Sequence, residues 1–165
     1  MADFVEFALR FSHITFGIMW IGANFYSVGV MSRVMPRVEA PARKQVMLRL
    51  MPVALRYIPV TAVLTIVLGA ALYVYMGDFR ANFLVGSRWG QTILAALILT
   101  VGTFVFGIVY VVGSGRNLQV HLAEDQCGHA AEVAVLQKRL ARGQPIITVL
   151  GLIIVGLMVA AFRGV

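Results

Sequence analysis

Apolar residues form four long runs that are separated by more polar segments. The runs cover about residues 4–31, 53–76, 90–113 and 146–162. An α-helix rises about 1.5 Å per residue, so that about 20 apolar residues cross a bilayer. The first three runs reach this length and the fourth is short but adequate, whereas no segment alternates as a half-buried strand does. We therefore predict an all-α integral membrane protein with four spans.

The composition agrees with this pattern. Of the 165 residues, 60% are hydrophobic and only 13% are charged, whereas soluble domains contain about 25% charged residues. Four spans leave no room for a separate soluble domain, so we predict a single membrane domain over residues 1–165. The single cysteine, Cys127, excludes a disulfide within the chain.

The basic residues predict the orientation. Ten of the fourteen Lys and Arg residues lie in or beside the two longer polar segments, residues 32–52 and 114–144, and four lie towards the opposite side. Cytoplasmic segments of membrane proteins carry this excess. The pattern predicts an antiparallel four-helix bundle in the cell inner membrane, with two cytoplasmic loops and both termini on the outer side. Orientation thus explains the net charge of +7, and we predict no nucleic-acid partner.

Two details refine the predicted bundle. In the second loop, Val133, Leu136 and Leu140 follow helical spacing, which predicts an amphipathic helix that lies on the inner surface or leads into the fourth span. Pro145 is predicted to open that span, where a missing N–H costs little. Small residues are expected to let the helices approach one another; they are Gly17, Gly69, Gly102, Gly107 and Gly151.

His13 is the candidate functional residue, because an ionisable side chain within a span normally faces the bundle interior and marks a function. Gly17 and Trp20 follow on the same helical face, and Arg10 precedes it by almost one turn. This arrangement suits b-type haem, with His13 on the iron, space beside Gly17 and Arg10 near a propionate. Two alternatives stay open: a hydrogen bond to a hydroxyl such as that of Thr92, and a copper or proton pathway.

The first span also carries a recognisable pattern, H-x6-W-I-G-x2-F-Y, formed by His13, Trp20, Ile21, Gly22, Phe25 and Tyr26. This pattern resembles a superfamily of small membrane bundles. It includes the copper-resistance protein D family, the membrane domain of bacterial urate oxidase and the HemJ-type protoporphyrinogen oxidases. The resemblance implies a four-helix core with His13 as a haem ligand. Arg142 and Gly143 differ from the asparagine and glutamate of the HemJ motif, and no C-x-x-C-H motif is present.

From the residues and the resemblance together, we predict a membrane protein that binds haem b, in electron transfer or as a subunit of a larger redox complex. HemJ-like oxidation of a porphyrinogen and a cofactor-free structural subunit are the alternatives. No other histidine lies in a span, so the sixth iron ligand is expected to be Met76, Met158 or a residue of another chain, or to be absent. A homo-oligomer or other membrane subunits are the expected protein partners.

A second cluster of chemistry-bearing residues lies in the loop before the fourth span. Its sequence, HLAEDQCGH, contains residues of types that ligate metals, namely His121, Glu124, Asp125, Cys127 and His129. Their spacing matches none of the usual zinc sites. We therefore predict a solvated or partner-facing patch, with a metal site as the alternative.

Overall fold

The computed structural model of the chain describes residues 4–123 and 129–163, and it is all-helical with no strand in these ranges. The helices are α1 (Phe4–Arg37), α2 (Ala40–Met76), the short α3 (Ala81–Gly86), α4 (Arg88–Ala123) and α5 (Ala130–Arg163). Each of the four long helices is long and apolar enough to cross a membrane. This finding confirms the all-α class and the multi-pass membrane protein.

The helices continue well beyond the apolar runs. Most of residues 32–52 and 114–144 is helical, so these segments extend the long helices rather than forming irregular loops, and their cytoplasmic location stays a prediction. The amphipathic stretch leads directly into the fourth long helix, one of the two predicted alternatives. Pro145 lies inside α5 rather than at its start. A proline inside a helix removes one backbone hydrogen bond, and neighbouring helices make this tolerable.

Large apolar side chains cover the outside of the long helices. Phe4, Ile18, Val109 and Phe162 expose between 67% and 82% of their surface. Apolar patches of this extent are rare on soluble monomers, because water disfavours them. The exposed residues instead indicate that the helices are surrounded by lipid.

A small core connects the helical extensions. Met51 of α2, Leu118 of α4 and Leu136 of α5 are buried together, with Val133 and other apolar residues packed around them. Met51 and Leu118 lie in segments for which no helix was predicted, whereas Leu136 lies in the predicted amphipathic helix. The apolar stripe of the amphipathic segment therefore packs against two other helices, which extends the bundle past its most apolar part.

Two π-helical turns interrupt the long helices. Residues Ser27–Met31 form one within α1, and Gly107–Val112 form the other within α4. Such turns are rare and occur frequently at functional sites. Both turns border the same cavity.

Close approach between helices uses most of the predicted small residues. A Cβ atom on Gly17 would lie 3.8 Å from Thr65, one on Gly151 would lie 3.8 Å from Ile21, and one on Gly107 would lie 3.3 Å from Ile147. Gly102 differs, because among the described residues nothing lies within 4 Å of its would-be Cβ, and its predicted packing role was wrong. Gly69 makes the closest approach to His13 and belongs to the candidate site.

Candidate functional site

His13 lies in the contact between α1 and α2. Its Nδ1 atom is 2.9 Å from the backbone carbonyl oxygen of Thr65. A carbonyl can only accept, so the neutral imidazole carries its proton on Nδ1 and donates it to Thr65. The other ring nitrogen, Nε2, then keeps its lone pair. In metalloproteins, a hydrogen bond from one ring nitrogen to a backbone carbonyl often orients a histidine whose other nitrogen binds the metal.

The suggested hydrogen bond between His13 and the hydroxyl of Thr92 was wrong. The Thr92 hydroxyl donates to the carbonyl of Arg88, one turn earlier in its own helix. His13 instead meets the backbone of α2, a partner that every residue type supplies. Sequence could therefore show that His13 needs a partner, but the partner itself depends on the register between the two helices.

Gly69 makes room for the imidazole. A Cβ atom at this position would lie 2.7 Å from Cε1 and 3.0 Å from Nδ1 of His13, but 3.6 Å from Nε2. The ring therefore packs edgewise on the glycine, with Nε2 the most distant of these three atoms. Gly69 follows Thr65 by one turn, so the acceptor and the space lie on one face of α2. Gly17, which was predicted to leave this space, instead lies beside Thr65.

Arg10 and Met76 are brought together. The Arg10 guanidinium forms an ion pair with Glu6 over 2.7 Å and donates a hydrogen bond to the Met76 sulfur over 3.4 Å. The side chains of Arg10 and Glu6 are each 38% exposed, so the pair lies at the edge of the bundle. A guanidinium has five N–H donors in a fixed plane, and these contacts occupy only part of them.

Trp20 lies apart from this contact. Trp20 is 5% exposed and follows His13 by about two helical turns, or roughly 10 Å along α1. Met158 is half-buried on α5. Met158 stays a prediction as a ligand, and Trp20 borders a different feature.

That feature is a cavity of about 560 Å³ between the four long helices. It begins at Trp20 and Thr103 and extends towards the basic segments at Arg43 and Lys44. The sequence pattern did not predict this cavity. The available signal was the group of four methionines, Met31, Met35, Met47 and Met51, which all line it.

The histidine cluster near α5 is only partly described. The ring centres of His121 and His129 are 5.8 Å apart, and His121 Nε2 lies 3.7 Å from a Glu132 oxygen. The predicted members Glu124, Asp125 and Cys127 lie outside the described residues. Within the described part of the chain, no group of three or more His, Cys, Asp or Glu residues is arranged to hold a metal ion.

Comparison with protein-family models, with curated proteins and with solved structures gave no match. The function is therefore inferred from the geometry of the His13 contact and of the cavity.

Proposed function

We propose that the chain is a multi-pass protein of the cell inner membrane that binds haem b and serves in electron transfer or as a subunit of a larger membrane redox complex. One observation supports this most: the His13 imidazole donates from Nδ1 to the Thr65 carbonyl. That hydrogen bond leaves Nε2 unprotonated, as iron ligation requires. Gly69 packs against the edge of the ring that carries Cε1 and Nδ1, and it lies farther from Nε2.

The proposed arrangement within the membrane is an antiparallel bundle with both termini on the outer side. Contacts between Arg10 and Met76, and between His13 and Thr65, join an early part of α1 to a late part of α2, as an antiparallel pair requires. The uneven distribution of Lys and Arg supports the orientation. Under this proposal His13 lies in the outer half of the bundle.

His13 Nε2 is the proposed iron ligand, and Arg10 is placed to pair with a propionate through its remaining donors. Bound haem would supply one-electron redox chemistry. The Met76 sulfur already accepts from Arg10, which favours Met158 or a residue from another chain as the sixth ligand. The exposed apolar helices offer surface for a second copy or for other membrane subunits.

The visible absorption spectrum of the purified protein tests the proposal. After expression with an ample haem supply, we expect a Soret band and a reduced α-band in the wild type. His13→Ala should abolish both bands while the protein still inserts, because the apolar residues that drive insertion are unchanged. His121→Ala and His129→Ala are matched controls that should keep the spectrum.

Two outcomes contradict the proposal. A wild-type protein with no Soret band would exclude bound haem under these conditions. A His13→Ala protein with an unchanged haem spectrum would exclude His13 as the ligand.

A cofactor-free structural subunit is the second candidate. The observation that favours it is that Arg10 is already paired with Glu6, and His13 with a backbone carbonyl. Under this alternative the protein is colourless. His13→Ala then costs only one interhelical hydrogen bond, about 0.6 kcal/mol in a membrane.

A further inference from the structure

The cavity has the size of a ligand site and lies apart from the His13 contact. Its volume of about 560 Å³ falls within the roughly 300–1,000 Å³ that is typical of small-molecule pockets. All four long helices contribute to its wall, with Trp20 from α1, Ala62 from α2, Thr103 from α4 and Ile147 from α5. A ligand seated between these residues would contact every helix of the bundle.

The wall is mainly apolar and adaptable. Met31 and Met35 are one turn apart on α1, Met47 and Met51 are one turn apart on α2, and all four line the cavity. Methionine is unbranched and polarizable, and it adapts to flexible apolar ligands better than other apolar residues. This chemistry suits an acyl chain better than a rigid polar molecule.

Irregular backbone borders the same cavity from two sides. Both π-helical turns contribute to its wall, through residues that include Ser27 of α1 and Ile108 of α4. On α2, Pro59 lines the cavity and has no N–H to donate to the carbonyl of Leu55, which lines it as well. The departures from regular helix thus coincide with the open space rather than with the His13 contact.

Positive charge lies at one end of the wall. Arg43 and Lys44 belong to the first turns of α2, and both line the cavity. Of the described residues that form the wall, none is acidic. A ligand whose anionic group lies at Arg43 and Lys44 would be attracted by the positive charge of the wall, and its apolar part would extend towards Trp20.

We propose that the cavity binds a single-chain anionic amphiphile, with its acyl chain between the four helices and a carboxylate or phosphate head at Arg43 and Lys44. The size, the apolar methionine wall and the charge at one end together specify this class of ligand. The inference does not depend on haem, because the cavity and His13 are separate.

Photo-crosslinking in nanodiscs of phosphatidylcholine tests the proposal. The probes are a fatty acid, a lysophosphatidate and a neutral monoacylglycerol, each with a diazirine in the acyl chain. Peptides labelled on irradiation are identified by mass spectrometry, with and without an excess of the same lipid lacking the diazirine. We expect saturable labelling of cavity-lining peptides by an acidic probe and not by the neutral one. The fatty acid arm and the lysophosphatidate arm distinguish a carboxylate head from a phosphate head.

Two pairs of variants locate the binding. Each basic residue near a membrane surface strengthens the binding of an anion roughly fivefold, so Arg43→Gln with Lys44→Gln should weaken saturable labelling roughly 25-fold. Arg37→Gln with Arg49→Gln removes the same charge from exposed positions outside the cavity wall, and should leave labelling unchanged.

The second pair fills space instead of removing charge. Ala54→Phe places a ring in the cavity and should abolish labelling, whereas Ala71→Phe adds the same ring at an exposed position outside the wall. Equal labelling by the neutral probe, labelling that excess lipid does not compete, or equal losses in both members of either pair would overturn the proposal.

Discussion

The two ends of the bundle differ in how their helices pack together. At the His13 end, polar groups are satisfied in direct contacts: His13 donates to a carbonyl of α2, and Arg10 pairs with Glu6. At the other end, the helices extend past the apolar runs and pack around Leu118 and Leu136, yet they leave a cavity of about 560 Å³ beside this core.

This difference indicates which end of the bundle can adapt its packing to a ligand. At the His13 end the imidazole packs directly on Gly69 of α2, so an added methyl group there must displace the ring. At the cavity end the wall consists of flexible methionines and π-helical turns. We infer that the first end holds one fixed arrangement, whereas the second adapts to a ligand.

The largest expected effect concerns which side of the membrane each end faces. In a Cys127→Ser background, Ala42→Cys and Ala81→Cys place single thiols at two exposed positions. A membrane-impermeant thiol reagent applied to intact cells should label Ala81→Cys fully and Ala42→Cys hardly at all, because basic segments stay in the cytoplasm. Labelling of both variants after permeabilisation is the control. The reverse pattern in intact cells would invert the proposed orientation.

Sequence predicted the number of long helices because a run of about 20 apolar residues registers directly in hydropathy. It did not predict the extensions of α1, α2 and α4, because a helical segment outside the most apolar zone, such as the start of α2 at Ala40, contains as many polar residues as a loop does. The amphipathic spacing of Leu136 and Leu140 was the one signal that survived there, and their packing agrees with it.

The sequence predicted the neighbours of His13 on its own helix but not those on the other helix. Helical periodicity places Gly17 and Trp20 on the face of His13 within α1, and this reasoning concerns one helix. Gly69 and the Thr65 carbonyl are on another helix, so their approach depends on the register between α1 and α2. A glycine in a second span was visible, but which glycine meets the histidine was not.

The next largest effect sharpens the contrast between the two glycines of the α1–α2 contact. Gly69→Ala should destabilise the protein by about 1–3 kcal/mol, as overpacking does, because its Cβ would lie 2.7 Å from the His13 ring. Gly17→Ala should be neutral or stabilising, since its Cβ would be at an ordinary 3.8 Å from Thr65 and alanine favours helix. Denaturation in mild detergent measures both.

A double-mutant cycle assigns the Gly69 effect to its cause. In a His13→Ala background the imidazole is absent, so adding Gly69→Ala should cost little, which gives a coupling of about 1 kcal/mol or more between the two positions. An equal cost of Gly69→Ala with and without His13 would mean that the glycine serves general helix packing and does not specifically accommodate the imidazole.

The smallest effect tests how far direct polar contacts extend at the His13 end. The Tyr73 hydroxyl donates to the Leu84 carbonyl over 2.7 Å and lies 3.3 Å from the Gly90 carbonyl, thereby joining α2 to the connection with α4. Its ring stacks on Trp89. Tyr73→Phe keeps the stacking and leaves a carbonyl without its donor, so we expect a loss of about 1 kcal/mol. Tyr57→Phe, at a position that is 41% exposed, is the matched control and should change stability by less than about 0.5 kcal/mol. Equal values for the two variants would show that the hydroxyl does not tie the short connection to α2, and that the contrast between the two ends is confined to the His13 contact.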